Sequence, residues 1–235
     1  MKYVFTAVVI VLIGLAVYML YKNNTNKKIN VNNPTTEIIT SPEINIGITG
    51  FDTINPILSK SKDVQYLSKL IYRSLVKITP DFQVQNDLAE EWPKLNDTSY
   101  LIKLKDNITW NDGSKFTAKD VEFTINGIKN FTGDSIYKDN VKDIASVQII
   151  DDYTLKINLD NPVPFFEYML SFPILSADGY DGQTLKSKSD MPISTGEYAV
   201  SSINDDSIVL KTVGAGLVSA RRQPTSNQHY KREII

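Results

Sequence analysis

Between Tyr3 and Tyr21 the chain carries no charged side chain, and no other feature restricts its architecture as strongly. At about 1.5 Å of rise per residue, a helix of that length spans about 28 Å, close to the hydrocarbon thickness of a bilayer. Tyr3, Tyr18 and Tyr21 sit near its ends, where amphipathic rings favour the membrane interface. A cleavable signal peptide has a shorter apolar run and a small-x-small cleavage site. The exit here reads Val17-Tyr18-Met19-Leu20-Tyr21-Lys22 and offers none. Residues 1–22 are therefore read as one transmembrane signal-anchor, in preference to a cleaved signal or a buried core helix. Lys2 lies on one side, and Lys22, Lys27 and Lys28 lie on the other. Positive charge favours the cytoplasmic side, so the lysine count taken alone would put the globular part inside the cell.

Residues 23–42 are polar and asparagine-rich, with Asn32-Asn33-Pro34 near their middle. Such a segment has too little apolar surface to offset its ordering entropy and is expected to be a flexible linker. From Glu43 the pattern changes. Ile44, Ile46 and Ile48 alternate with Asn45, Gly47 and Thr49, which predicts a strand with one buried face. Val64, Leu67, Ile71 and Leu75 recur at helical spacing, with Asp63 as the N-cap. Asp87 to Trp92 reads as a helical turn stopped by Pro93, and Leu101 to Lys105 as a strand. Thr117 and Asp120 form a capping-box start for a helix whose apolar face is Val121, Ile125 and Ile128. Val147 and Ile149, then Leu155, Ile157 and Leu159, predict a hairpin turning at Asp151-Asp152. Pro162, Pro164 and Pro173 bracket a short apolar piece, residues 176–196 are loop-rich, and Tyr198–Val200 and Ile208–Leu210 read as two last strands. The fold class is thus mixed α/β, in one domain over residues 43–212.

Residues 213–235 stand apart. Of the chain's four arginines, Arg221, Arg222 and Arg232 fall here, beside its only histidine, His229. Upstream, lysine carries nearly all the positive charge. The stretch is expected to be an atypical tail, either aberrant or an ordinary flexible terminus.

The composition excludes several chemistries. The chain has no cysteine, which removes disulfides, thiolate nucleophiles, cysteine metal sites and a lipidated N-terminal cysteine. Its net charge is −2 with dispersed lysines, which argues against a nucleic-acid groove. His229 stands alone, so neither a Ser-His-Asp set nor a histidine metal site has a home. Gly214-Ala215-Gly216 lacks the strand-to-helix setting and lysine of a phosphate loop. The doublets Glu90-Glu91, Asp151-Asp152 and Asp205-Asp206 read as solvated turn charges, since adjacent strand residues point to opposite faces. A hydrolase is the weakest of the readings. Asn111-Asp112-Gly113 lacks the spaced acidic ligands of a calcium loop and reads as a turn. No enzyme activity, cofactor or metal is expected.

Two segments carry a more specific signal. Asn86-Asp87-Leu88-Ala89-Glu90-Glu91-Trp92 is followed by the strand Tyr100–Lys105, and then by Trp110-Asn111-Asp112-Gly113-Ser114-Lys115-Phe116-Thr117-Ala118-Lys119-Asp120-Val121. This order resembles the signature of the family 5 extracellular solute-binding proteins, the peptide and nickel binders of ABC importers. Phe51-Asp52-Thr53-Ile54-Asn55-Pro56 resembles the family's first loop, and Asp151–Ile157 its central hairpin. Ser194-Thr195-Gly196-Glu197-Tyr198 resembles its GTG-P-Y turn, with Ser and Glu in place of the usual Gly and Pro. The resemblance runs from about Glu43 to Leu210.

The resemblance implies lobe I of a periplasmic-binding-protein-like (type II) fold. It also implies a role as the substrate-binding component of an ABC importer, outside the cell, with a peptide ligand and with permease and ATPase subunits as partners. That placement favours the N-terminus inside and the globular part outside, against the lysine count, on a single-pass anchor in the cell membrane. Members are longer, with two lobes closing on the ligand, so this chain is expected to be a shortened form. The alternative is a membrane-tethered interaction module that binds nothing, or a non-functional fragment. Thr49, Gly50, Phe51 and Asp52, at the exit of the opening strand, are the candidate ligand contacts. Trp92, Trp110, Phe116 and Val121 are expected to pack behind the Asn111–Gly113 turn as scaffold.

Overall fold

The computed structural model describes residues 42–213, together with Met19. The anchor expected at 1–22, the linker up to Ser41 and the tail beyond Val213 lie outside the described residues. Among the described residues no helix is long and apolar enough to cross a membrane.

The elements run β1 (Glu43–Gly47), α1 (Lys62–Ile71), β2 (Val76–Ile78), β3 (Val84–Asn86), β4 (Ala89–Glu91), β5 (Lys94–Asn96) and β6 (Ser99–Leu104). They continue with α2 (Ala118–Asn130), α3 (Lys138–Val141), β7 (Ile144–Asp151), β8 (Thr154–Leu159), α4 (Phe166–Met169), β9 (Tyr198–Ile203) and β10 (Ser207–Thr212). Three sheets result. One has the order β1-β10-β9, one is the β2-β3 hairpin, and the largest has the order β4-β6-β8-β7 with β5 also on β6.

The largest sheet follows from period-two alternation. In β8, Leu155, Ile157 and Leu159 are buried while Thr154, Lys156 and Asn158 are partly exposed. Tyr100 and Ile102 of β6 lie opposite Ile157 and Leu155. On the other side of β8, Val147 and Ile149 of β7 pair with the same two residues. Burying a side chain such as Ile102 or Ile157 stabilises the fold by about 1.5–3 kcal/mol. Helix α2 packs against β7 and buries Val121, Ile125 and Ile128, the face its spacing predicts.

Four expectations are corrected. Asp87–Trp92 is not a helical turn: Ala89–Glu91 is strand β4, paired with β6. The amides of Leu88 and Ala89 donate to the carbonyls of Ser74 and Leu75 at 3.0 Å each. So short a helix forms few internal bonds, and the long-range partners win. Helix α1 ends at Ile71, where Tyr72 turns extended, so the buried Leu75 belongs to the approach to β2. Its N-cap is Ser61, and Asp63 lies in the first turn instead. Finally, β1 is a sheet edge whose buried face is incomplete. Ile48, just beyond the strand, is buried, Ile46 is half-buried, and Ile44 is exposed.

Candidate functional site

Helix α1 has chemistry at both ends, and the predicted contacts gather at its start. The Thr49 amide and hydroxyl both donate to Asp63 Oδ2, at 2.6 and 2.9 Å. Gly50 takes φ +72°, a conformation glycine adopts freely, and the next residue, Phe51, is 37% exposed. Asp52 points the other way. Its carboxylate accepts from the Thr53 amide (2.7 Å), the Ser59 hydroxyl and the Lys60 amide (2.7 Å). Partial burial pushes the Asp52 carboxyl up, but these hydrogen bonds together hold it below the ordinary value. Asp52 thus closes the loop 52–60, while Thr49, Gly50 and Phe51 form its open lip.

The signature turn Asn111–Gly113 is itself exposed, but the side chains behind it are internal. Trp110, Phe116 and Val121 are buried, with the Trp110 and Phe116 rings edge to face at 6.0 Å, and Trp92 packs partly buried against the same core. Asp112 Oδ1 accepts from the amide and hydroxyl of Ser114 (2.9 and 2.6 Å), and Gly113 takes φ +88°, the conformation the turn needs. Asp120 is a buried junction. It accepts from the amides of Thr117 and Ala177, 2.8 Å each, and from Trp110 Nε1 at 3.4 Å. Burial pushes its carboxyl above the ordinary value in spite of these donors. The aspartate that opens α2 therefore also fixes Trp110 and the loop after α4.

Asn111 links this turn to the 192–196 loop. Its amide donates to the Ser194 carbonyl (2.9 Å), its Nδ2 to the Pro192 carbonyl (3.3 Å), and its Oδ1 accepts the Ser194 amide (3.2 Å). Two residues on, the Gly196 amide donates to the Ile71 carbonyl at 2.9 Å, at the end of α1. A Cβ on Gly196 would lie 2.2 Å from the Leu70 carbonyl oxygen, so only glycine permits this approach.

Two cavities open at this end of α1. One, of about 530 Å³, is lined by Lys69, Leu70, Arg73, Lys77, Thr195, Gly196 and Glu197. The other, of about 480 Å³, shares Lys69, Arg73 and Lys77 and adds Tyr72, Asp87 and Tyr137 among others. Asp87 is buried and held by Arg73 at 2.6 Å and Lys77 at 3.5 Å. Behind this wall the Tyr72 and Tyr180 hydroxyls share a hydrogen bond of 2.5 Å. Burial raises both phenols, that of Tyr180 to about 12. None of Thr49–Asp52 lines either cavity. The two ends of α1 are about 15 Å apart. Sequence reasoning named the lip but not the cavities, whose walls come from residues more than a hundred positions apart.

Among the described residues no cluster of three or more potential metal-binding side chains occurs. What the fold offers is an exposed lip and concave polar surfaces on a rigid frame, the equipment of a binding protein. It is the mixed α/β architecture of a periplasmic-binding-protein-like fold of type II. The chain is similar to NikZ from Campylobacter jejuni in complex with Ni(L-His), with a TM-score of 0.60 and 30% identity, over 68% of this chain and 32% of that one. It is similar in fold to the oligopeptide-binding protein AppA from Bacillus subtilis, solved with a nonapeptide, with a TM-score of 0.58 and 21% identity, over 68% of this chain and 33% of that one. In sequence it is 27% identical over 166 residues to the glutathione-binding protein GsiB of Salmonella typhimurium, 68% of this chain and 32% of the relative. Residues 83–213 match the bacterial extracellular solute-binding proteins, family 5 (middle). The chain belongs to this family, one of binding proteins and not of enzymes. It spans about a third of the length of the relatives it matches.

Proposed function

We propose that this chain supplies lobe I of the substrate-binding component of an ABC importer, taking up peptides on the outer side of the cell membrane. The observation that carries the reading is the family 5 match over residues 83–213. AppA, solved with a nonapeptide, and GsiB, a binder of the small peptide glutathione, support the peptide class. NikZ, solved with Ni(L-His), marks the other chemistry the family accommodates. In this reading Thr49, Gly50 and Phe51 contact the ligand, and Asp52 holds their loop in place. The uncharged run from Tyr3 to Tyr21 tethers the lobe, with its N-terminus inside, beside permease and ATPase subunits.

One lobe leaves the far face of a ligand wet and its charges unpaired, so the 235-residue chain is expected to bind peptide weakly. Saturation-transfer NMR with the full chain and peptides of two to five residues tests this. Transfer that Thr49→Ala or Phe51→Ala abolishes, with a half-saturation near millimolar, supports the reading. Absence of transfer from every peptide at millimolar concentration overturns the peptide assignment and leaves a tethered module that binds none. A nanomolar affinity by calorimetry contradicts the one-lobe account.

A further inference from the structure

Three buried side-chain oxygens lack a hydrogen-bond partner among the described residues: Ser194 Oγ, Thr195 Oγ1 and Thr212 Oγ1. They are not scattered. Ser194 and Thr195 are consecutive, and Thr212 lies opposite Tyr198 in the β9–β10 pairing. Ser194 and Thr195 thus lie in the corner loop 194–198, and Thr212 on the strand paired with the end of that loop. A buried hydroxyl without a partner is destabilising, and such groups are rare in folded proteins. Thr195, the one of the three that lines a cavity, calls for an explanation.

The corner borders the cavity of about 530 Å³. Thr195, 8% exposed, lines it together with Lys69, Arg73 and Glu197. Arg73 and Lys77 are committed to Asp87. Neither Lys69 nor Glu197 forms an ion pair among the described residues, and the Lys69 ammonium lies over the exposed Tyr66 ring, 5.8 Å from its centroid. A cavity lined by charges of both signs and by a buried hydroxyl without a partner among the described residues suits a molecule that carries both charges. Ser194 and Glu197 are also the positions at which this loop departs from the GTG-P-Y pattern, and Ser194 is one of the unpartnered hydroxyls.

We infer that this corner is a second solute site, selective for a small zwitterion whose carboxylate faces Lys69 and Thr195 and whose ammonium faces Glu197. An amino acid and a short unblocked peptide share this chemistry. The site is separate from the lip at Thr49–Phe51, at the other end of α1, and does not depend on the lip binding anything.

Amide NMR of the full chain, titrated with tri-alanine, alanine, N-acetyl-tri-alanine and tri-alanine amide at constant ionic strength, tests it. Tri-alanine is expected to shift the Gly196 and Glu197 amides saturably, and each blocked derivative to bind about tenfold more weakly. Lys69→Gln and Glu197→Gln, both at exposed positions, are each expected to weaken tri-alanine about tenfold. Saturation by alanine as well would assign the site to free amino acids, and by tri-alanine alone to peptides. Thr195→Val is expected to weaken binding while raising the melting temperature of the free chain, since it removes an unpaired buried hydroxyl. Equal half-saturation for blocked and unblocked probes, or shifts that Lys69→Gln and Glu197→Gln leave unchanged, would overturn the inference. The Thr49–Phe51 amides report separately on the lip, so either site can fail alone.

Discussion

Asp120 and the corner at residues 194–198 are both buried and polar, and Asn111 ties one to the other. They differ in what their polar atoms do. Every contact of Asp120 is internal: two amides and an indole N–H converge on one carboxylate. The hydroxyls at the corner have no partner among the described residues. A buried polar group that is fully paired fixes a frame, and one left unpaired beside a cavity is available to a ligand. The segment that most strongly resembles a family signature is therefore structural, and the less conforming loop beside it is the better place to look for recognition.

The largest expected effect falls on the paired side. Asp120→Ala strands the Thr117 and Ala177 amides and Trp110 Nε1 in the interior. It is expected to cost about 4 kcal/mol in urea unfolding, because each stranded donor loses its partner without gaining water. A loss below about 1 kcal/mol would mean that the junction is redundant, and the contrast with the corner would collapse. Gly196→Ala comes next. The added methyl meets backbone atoms, which cannot rotate away as a side-chain tip would. A loss of about 3 kcal/mol is expected, with the Gly196-to-Ile71 hydrogen bond broken. Retention of that bond in the variant, read from slow amide exchange, would show that the end of α1 yields more easily than its packing suggests.

The paired region was legible in sequence and the corner was not, for physical reasons. Asp120 caps its own helix three residues from Thr117, so the capping pattern lies within one turn of chain. The β7–β8 hairpin is equally local, its alternation running through both arms of one turn. The β4 strand was misread because its identity rests on β6 and on the carbonyls of Ser74 and Leu75, partners invisible in a local window. The β2–β3 hairpin was missed for the same reason, with Leu75 borrowed for a helix that stops at Ile71. The corner is harder still. It exists only because Gly196 brings residues 194–198 onto the end of α1, and one glycine in a loop does not announce which backbone it must approach. The signal that was present is the pair of departures, Ser194 and Glu197.

The smallest effect separates two aspartates of opposite behaviour. At Asp52 burial pushes the carboxyl up, but hydrogen bonds from Ser59, Lys60 and Thr53 prevail, and it lies below the ordinary 3.8. At Asp120 burial prevails over the donors, and it lies above 3.8. The signs of their linkage to folding are therefore opposite. The lowered pKa of Asp52 contributes stability that is present above pH 3.8 and is lost as pH falls through its folded value. The raised pKa of Asp120 contributes stability that is present below pH 3.8 and is lost as pH rises through its folded value. The Lys60 amide reports on Asp52 and the Ala177 amide on Asp120, through bonds of 2.7 and 2.8 Å. Followed by NMR through the acid range, the Lys60 amide is expected to titrate with a midpoint below 3.8 and the Ala177 amide above it. Midpoints on the same side of 3.8 would mean that burial and hydrogen bonding do not balance with opposite sign at Asp52 and Asp120, and the contrast between them would fail.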